Sequence, residues 1–265
     1  MCQNPRTSSR DVVDRKGDNG VSVLHCQGKD TMMKGRNPQK IQELAPDLWT
    51  VYQPLRFLGL ELGACMTIIR LPGSQLVLHS PIARSHEIAE QVEQLGSPAF
   101  LIAPNRFHHL YVSDWREAYP TTRLYVAPGL EKKRPDLAIT GVLGEKPIPG
   151  WSEVMDHALL AGAPAVNEVV FFHKPSKTLI ASDLAFNIDA GSPMLTRLAF
   201  RLMGAYGCLS TTLLERVMIR DRAAFRDSLA RILRWPIARV IVAHGSVVER
   251  EGRAALERAY SWLLR

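Results

Sequence analysis

The chain has 265 residues, 46% of them apolar, enough for one domain of ordinary size with a sizeable core. Its net charge of +7 sits mainly in residues 1–40, which carry eight Lys/Arg against four Asp and leave only +3 on the rest; no nucleic-acid-binding motif accompanies it, so nucleic acid is not an expected partner. No apolar run reaches eighteen residues and Cys2, Cys26, Cys65 and Cys208 form no CxxC pair, so neither a membrane span nor a disulfide or thiolate–zinc framework is expected, and the expected location is cytoplasmic.

In chain order, residues 1–40 are rich in Gly, Ser, Asn and Gln, with one short apolar piece at 21–24. Such a composition cannot bury enough surface to order itself, so the sequence predicts a disordered tail over 1–40 and a folded domain over 41–265. Strands follow over 48–52 and 65–71, then the turn Pro72-Gly73-Ser74 and a returning strand that ends at Leu78-His79-Ser80-Pro81. Ser85 caps a helix over 86–95 that Gly96 terminates.

The apolar run Phe100-Leu101-Ile102-Ala103 reads as a short buried strand. Pro104 and Asn105 then suit a turn, and Asn105-Arg106-Phe107-His108-His109 leads into an amphipathic segment ending at Tyr119-Pro120. The two adjacent histidines are either ligands of one ion or one packed and one solvated imidazole. A strand over 122–126 and the basic run Lys132-Lys133-Arg134 come next; the run reads as a solvated loop or as a contact for a substrate phosphate. A strand over 151–160 contains His157, a structural histidine or a group at the edge of a site. Glu168 opens a strand over 169–172, where it is a ligand, a base or an ordinary strand-edge carboxylate.

Two further buried-strand patterns end in metal-ligating types: Thr178-Leu179-Ile180-Ala181-Ser182-Asp183 and Val240-Ile241-Val242-Ala243-His244-Gly245. With the histidine pair, three strands deliver His108, His109, Asp183 and His244 at their carboxyl ends, the edge where open α/β folds collect ligands, and a His/Asp set there suits Zn, Fe or Mn. Between Asp183 and His244 the region 194–234 holds eight Arg and three Asp/Glu with apolar residues at helical spacing, notably Leu195, Leu198, Ala199 and Leu202. It reads as a pair of packed helices or as an anion-recruiting or membrane-facing lid. A covering helix over 247–264 closes the chain.

The order strand–His cluster, strand–Asp, strand–His-Gly resembles the metallo-β-lactamase superfamily, the metallo-hydrolase/oxidoreductase fold, whose signature is Thr-His-x-His-x-Asp-His with a middle His, a bridging Asp and a final His-Gly. With His109 at the signature's last His, His108 stands at its Asp, Arg106 and Pro104 replace its first two His, and Gly162-Ala163-Pro164-Ala165-Val166-Asn167-Glu168 lacks the middle His. A shift by one residue leaves fewer ligands. The motifs around Asn105, Glu168 and Asp183 look like a branch of that superfamily described as a domain of unknown function, over about residues 43–265.

That resemblance implies an α/β fold, an αββα sandwich, with one residual metal site held by His108, His109, Asp183 and His244. It implies a metal-dependent hydrolase in which one divalent ion, Zn, Fe or Mn, activates water against a small-molecule ester, thioester, amide or phosphoester; Asp183 and, read from its own position, Glu168 are the candidate catalytic carboxylates. His79, Asn105, Arg106 and His157 are the candidates for supporting or substrate-facing groups, Arg106 as a cation for an anionic substrate. The loss of expected ligands favours the alternative, a non-catalytic or redox-linked member that keeps the fold.

Overall fold

The computed structural model describes residues 39–144, 146 and 148–264; the expectations for residues 1–38 lie outside them. The first half of the chain contains β1 (Gln42–Ala45), β2 (Leu48–Gln53), the hairpin β3 (Arg56–Phe57) and β4 (Leu60–Glu61), β5 (Ala64–Leu71), β6 (Gln75–His79), α1 (His86–Leu95), β7 (Ser97–Ala103), α2 (Val112–Ala118), β8 (Arg123–Val126), α3 (Leu130–Lys133) and β9 (Gly141–Val142). The second half contains β10 (Met155–Leu159), β11 (Val169–His173), β12 (Thr178–Ile180), α4 (Met194–Leu202), α5 (Leu213–Met218), α6 (Arg222–Ile232), β13 (Arg239–Ile241), α7 (Gly252–Ala259) and α8 (Ser261–Leu264). One sheet runs β1-β2-β5-β6-β7-β8-β9 and the other β10-β11-β12-β13.

Side-chain alternation builds the layers. On β5, Cys65 and Ile69 face the second sheet while Met66 and Ile68 face α1 and α2; on β7, Phe100 and Ile102 face inward and Leu101 and Ala103 outward. On β11 and β12, Val169, Phe171 and Ile180 meet the first sheet, whereas Val170, Phe172 and Leu179 meet Phe225, Leu229, Leu256 and Tyr260 from the helices behind. Strands buried on both faces need continuous apolar runs, which is why 100–103 and 179–181 carry them. The result is an αββα sandwich.

Local chemistry sets the element ends. Ser85 Oγ accepts from the Ile88 N–H at 3.1 Å and starts α1, and Gly96 follows its last turn. The strand expected over 151–160 shortens to β10, because Trp151 is drawn into the inter-sheet core from the preceding turn, where its carbonyl accepts from the Val154 and Met155 N–H groups. The closing helix expected over 247–264 starts only at Gly252: Val248 pairs with Val240 as a β-bridge, and Glu251 is left-handed at φ 55°. The pair of helices expected over 194–234 is three, α4, α5 and α6.

Gly162, at φ 88°, lets the segment before β11 touch the start of α6: its carbonyl accepts from the Arg220 and Asp221 N–H groups at 2.9 and 3.0 Å, and a Cβ there would lie 2.1 Å from the Asp221 carbonyl oxygen. Gly59, at φ 80°, has nothing within 4 Å of such a Cβ. Gly59→Ala should therefore cost about 1 kcal/mol of left-handed strain, and Gly162→Ala about 3 kcal/mol once the collision is added, both read from urea unfolding. Equal losses would contradict this close approach.

Candidate metal centre

The site is built from the ends of β6, β7, β12 and β13. Past Ala103 the chain turns on Asn105, whose fully buried carboxamide does two things. Its Oδ1 accepts from the Phe107 and His108 N–H groups, each at 2.8 Å, which fixes the turn; its Nδ2 donates to Asp183 Oδ2 at 2.8 Å, which fixes the carboxylate. From behind, the Glu168 carboxylate accepts the Ser182 and Asp183 N–H groups at 2.5 and 2.9 Å, pinning the peptide that leaves β12.

Asp183 Oδ1 is left to face two imidazoles, His108 Nε2 at 3.2 Å and His244 Nε2 at 3.4 Å. Ligand atoms of His108, Asp183 and His244 all lie within 4.8 Å of one another, on side chains only 8–15% exposed. The far nitrogens are held too: His244 Nδ1 lies 2.6 Å from the Gly63 carbonyl oxygen, and His108 Nδ1 lies 2.7 Å from Ser80 Oγ. A carbonyl can only accept, so His244 carries its proton on Nδ1. In the neutral ring its Nε2 lone pair then points at a carboxylate oxygen, two acceptors face to face. A proton or a cation must reconcile them, and a His/Asp donor set with outer hydrogen bonds of this kind fits a divalent ion. Burial alone would push the Asp183 carboxyl up, but the His108 and His244 rings hold it well below the usual carboxylate range. Glu168 goes the other way: burial, and then the charge of Asp183, push it up to about 8 against its two N–H bonds.

The remaining expected groups are placed elsewhere. His109, expected as the fourth ligand, lies outside the group: side chains of adjacent residues diverge in the turn, and its Nδ1 sits 3.1 Å from Arg134 Nη1, with burial and then Lys133 and Arg134 lowering it to about 4. Arg106 packs beside Gly129 and donates to the Pro164 carbonyl at 2.9 Å. Of the basic run, Lys132 is exposed to solvent, whereas Lys133 donates to the Arg106 carbonyl and Arg134 pairs with Asp136 while reaching His109 and Ser113. His157 is turned to the Gly144 carbonyl, 2.7 Å away, and stacks on Phe171 between the sheets. Ser80, the Gly63 carbonyl and Phe186, which stacks on His244 at 5.4 Å, are the contributors the sequence reading missed.

His79 is fully buried edge-on to Phe171, with no hydrogen-bond partner for Nε2, and burial followed by the nearby His108 lowers it to about 3. A histidine held neutral in the fold but free to charge once unfolded binds fewer protons in the native state. Its contribution is therefore intact above the unfolded value near 6.5 and is lost as pH falls toward 3. Between about pH 7 and about pH 5 the protein should lose about 2 kcal/mol through this group, a loss absent from His79→Leu in urea titrations at the two pH values. A wild-type-to-variant difference that does not change with pH would contradict it.

The family model described as domain of unknown function (DUF4336) matches residues 46–205. A comparison with curated proteins finds no match. Among solved structures, a metallo-β-lactamase from Hirschia baltica is 15% identical with a TM-score of 0.59, over 86% of this chain and 99% of that one. A metallo-β-lactamase from Pontibacter korlensis is 12% identical with a TM-score of 0.56, over 84% and 98%. A metal-soaked Flv1 flavodiiron core from Synechocystis is 14% identical with a TM-score of 0.59, over 85% of this chain and 60% of that one. At such identities the likeness is one of fold. By the family match over 46–205 and the shared architecture, the chain belongs to the DUF4336 family and has the metallo-β-lactamase fold.

Proposed function

We propose that the protein is a metal-dependent hydrolase with a single metal site held by His108, Asp183 and His244. The observation that carries this reading is the pair of imidazole Nε2 atoms facing one carboxylate oxygen while the Gly63 carbonyl fixes the His244 proton on the opposite nitrogen. When bound, a divalent ion supplies Lewis acidity, polarising a carbonyl or phosphoryl oxygen and making water easier to deprotonate near neutral pH. Three protein ligands, in place of the four expected with His109, match the open coordination of hydrolytic zinc sites and also suit iron or manganese.

The chain's own residues divide the work by position. Asn105 occupies Asp183 Oδ2 and leaves Oδ1 for the ion. Ser80 and Gly63 orient the rings, and Phe186 covers one face of His244 against water. Glu168, expected as a base, has both oxygens committed to backbone N–H groups and is 3% exposed, so its role is to position Asp183. Arg106 commits its Nη1 to the Pro164 carbonyl, and the substrate class stays as wide as an ester, thioester, amide or phosphoester.

Protein prepared without chelator should carry about one Zn, Fe or Mn per chain by elemental analysis. Asp183→Asn and His244→Ala should abolish both metal content and hydrolysis of a generic ester and phosphodiester panel, and His109→Ala should keep the metal. Ser80→Ala, which frees the His108 ring, should weaken metal affinity by about 10- to 100-fold. No metal in the wild type, or metal retained by Asp183→Asn, would sink the site; stoichiometric metal with no turnover would replace the hydrolase with a binding or redox-linked protein.

A further inference from the structure

Twelve large apolar side chains are exposed among the described residues, and eight of them fall between 194 and 217. On α4, Met194, Leu195, Leu198 and Leu202 are 76%, 61%, 52% and 82% exposed, and Met203 follows at 46%. The opposite face is already satisfied: Thr196 Oγ1 donates to the Glu61 carbonyl on β4 at 2.9 Å, and Phe200 is buried among Leu62, Ile188 and Ala205. The β3–β4 hairpin to which α4 is thus fastened carries two more exposed apolar residues, Phe57 and Leu58, at its turn. The helices expected to pack these side chains away leave them in water. An amphipathic helix with its apolar side outward needs a second surface to cover it.

Charge selects that surface. Arg197 and Arg201 lie one turn apart on α4, and no Asp or Glu occurs between Asp189 and Glu215. Arg197 Nη1 reaches the Ala190 carbonyl, and the guanidinium of exposed Arg201 lies 4.2 Å from the Tyr206 ring centroid, so both are held on the same helix as its exposed apolar row. A second copy seated on this face by twofold symmetry would set these arginines near their own counterparts. A bilayer with anionic headgroups instead offers phosphates to the guanidinium groups and acyl boundary to the leucines and methionines. No described helix is long and apolar enough to cross a membrane, which leaves binding at the interface.

We propose that α4, with the turn of the β3–β4 hairpin beside it, docks the protein on the surface of a bilayer containing anionic lipid. Aromatic contacts connect the helix to the candidate metal centre: Phe200 packs on Phe186 at 5.4 Å and Phe186 stacks on His244. Docking itself does not depend on the metal.

The test is vesicle flotation with the full chain, using phosphatidylcholine alone or with about a third phosphatidylserine, at low and high salt. The wild type should float with the anionic vesicles only and be released by salt. Leu202→Asp and, separately, Met194→Asp replace side chains more than three-quarters exposed, so each should keep the wild-type melting temperature and bind about tenfold more weakly. Residues 1–40 are present in every protein compared, so the difference reports on α4 alone. Variants that float as the wild type does, equal binding to neutral vesicles, or no binding would overturn the proposal. So would wild-type self-association in sedimentation that Leu202→Asp dissolves, which would assign the face to a second copy.

Discussion

One side chain ties the two halves of the molecule together at the edge where chemistry is proposed: the Asn105 carboxamide. It is fully buried and spends its oxygen on the turn that presents His108 and its amide on the carboxylate of Asp183, 78 residues further on. Each alternative at the position fails one task. Aspartate would set a second carboxylate 2.8 Å from Asp183, and alanine would leave the Phe107 and His108 N–H groups without their acceptor. The bond works because β7 and β12 sit in different sheets that the inter-sheet core holds face to face.

The centre places charge where burial is costly and compensates it locally. Asp183 is kept ionised by two rings, and those rings are kept in place by a hydroxyl and a backbone carbonyl. Glu168 sits behind Asp183, its carboxyl raised by burial and by its neighbour's charge, and binds two backbone N–H groups that an apolar residue would strand. The edge therefore resists rearrangement from both sides, which is what a site needing fixed ligand directions requires.

Much of the fold was legible because strands buried on both faces must be apolar throughout. Phe100-Leu101-Ile102-Ala103 and Leu179-Ile180-Ala181 announced themselves, and the polar residues that close the runs marked the edge. Which of two adjacent histidines turns toward Asp183 was not legible, since it depends on a turn fixed by the Asn105 side chain and on Arg134 drawing His109 away. The Gly63 carbonyl carries no side-chain signature at all, and Ser80 stood unnoticed beside the more conspicuous His79. For α4 the periodic leucines showed that one side of the helix is apolar, while periodicity does not say whether protein or another phase covers that side.

The central claim is that His108 and His244, and not His109, present free Nε2 atoms to one ion beside Asp183. Histidine side-chain nitrogen NMR on the labelled protein tests it directly, read before and during addition of zinc. The account predicts protons on Nδ1 of His108 and His244 in the metal-loaded protein, zinc-dependent shifts at their Nε2 atoms, and an unmoved His109 signal. A proton retained on Nε2 of His244 under saturating zinc, or a metal shift at His109 in place of His108, would contradict it.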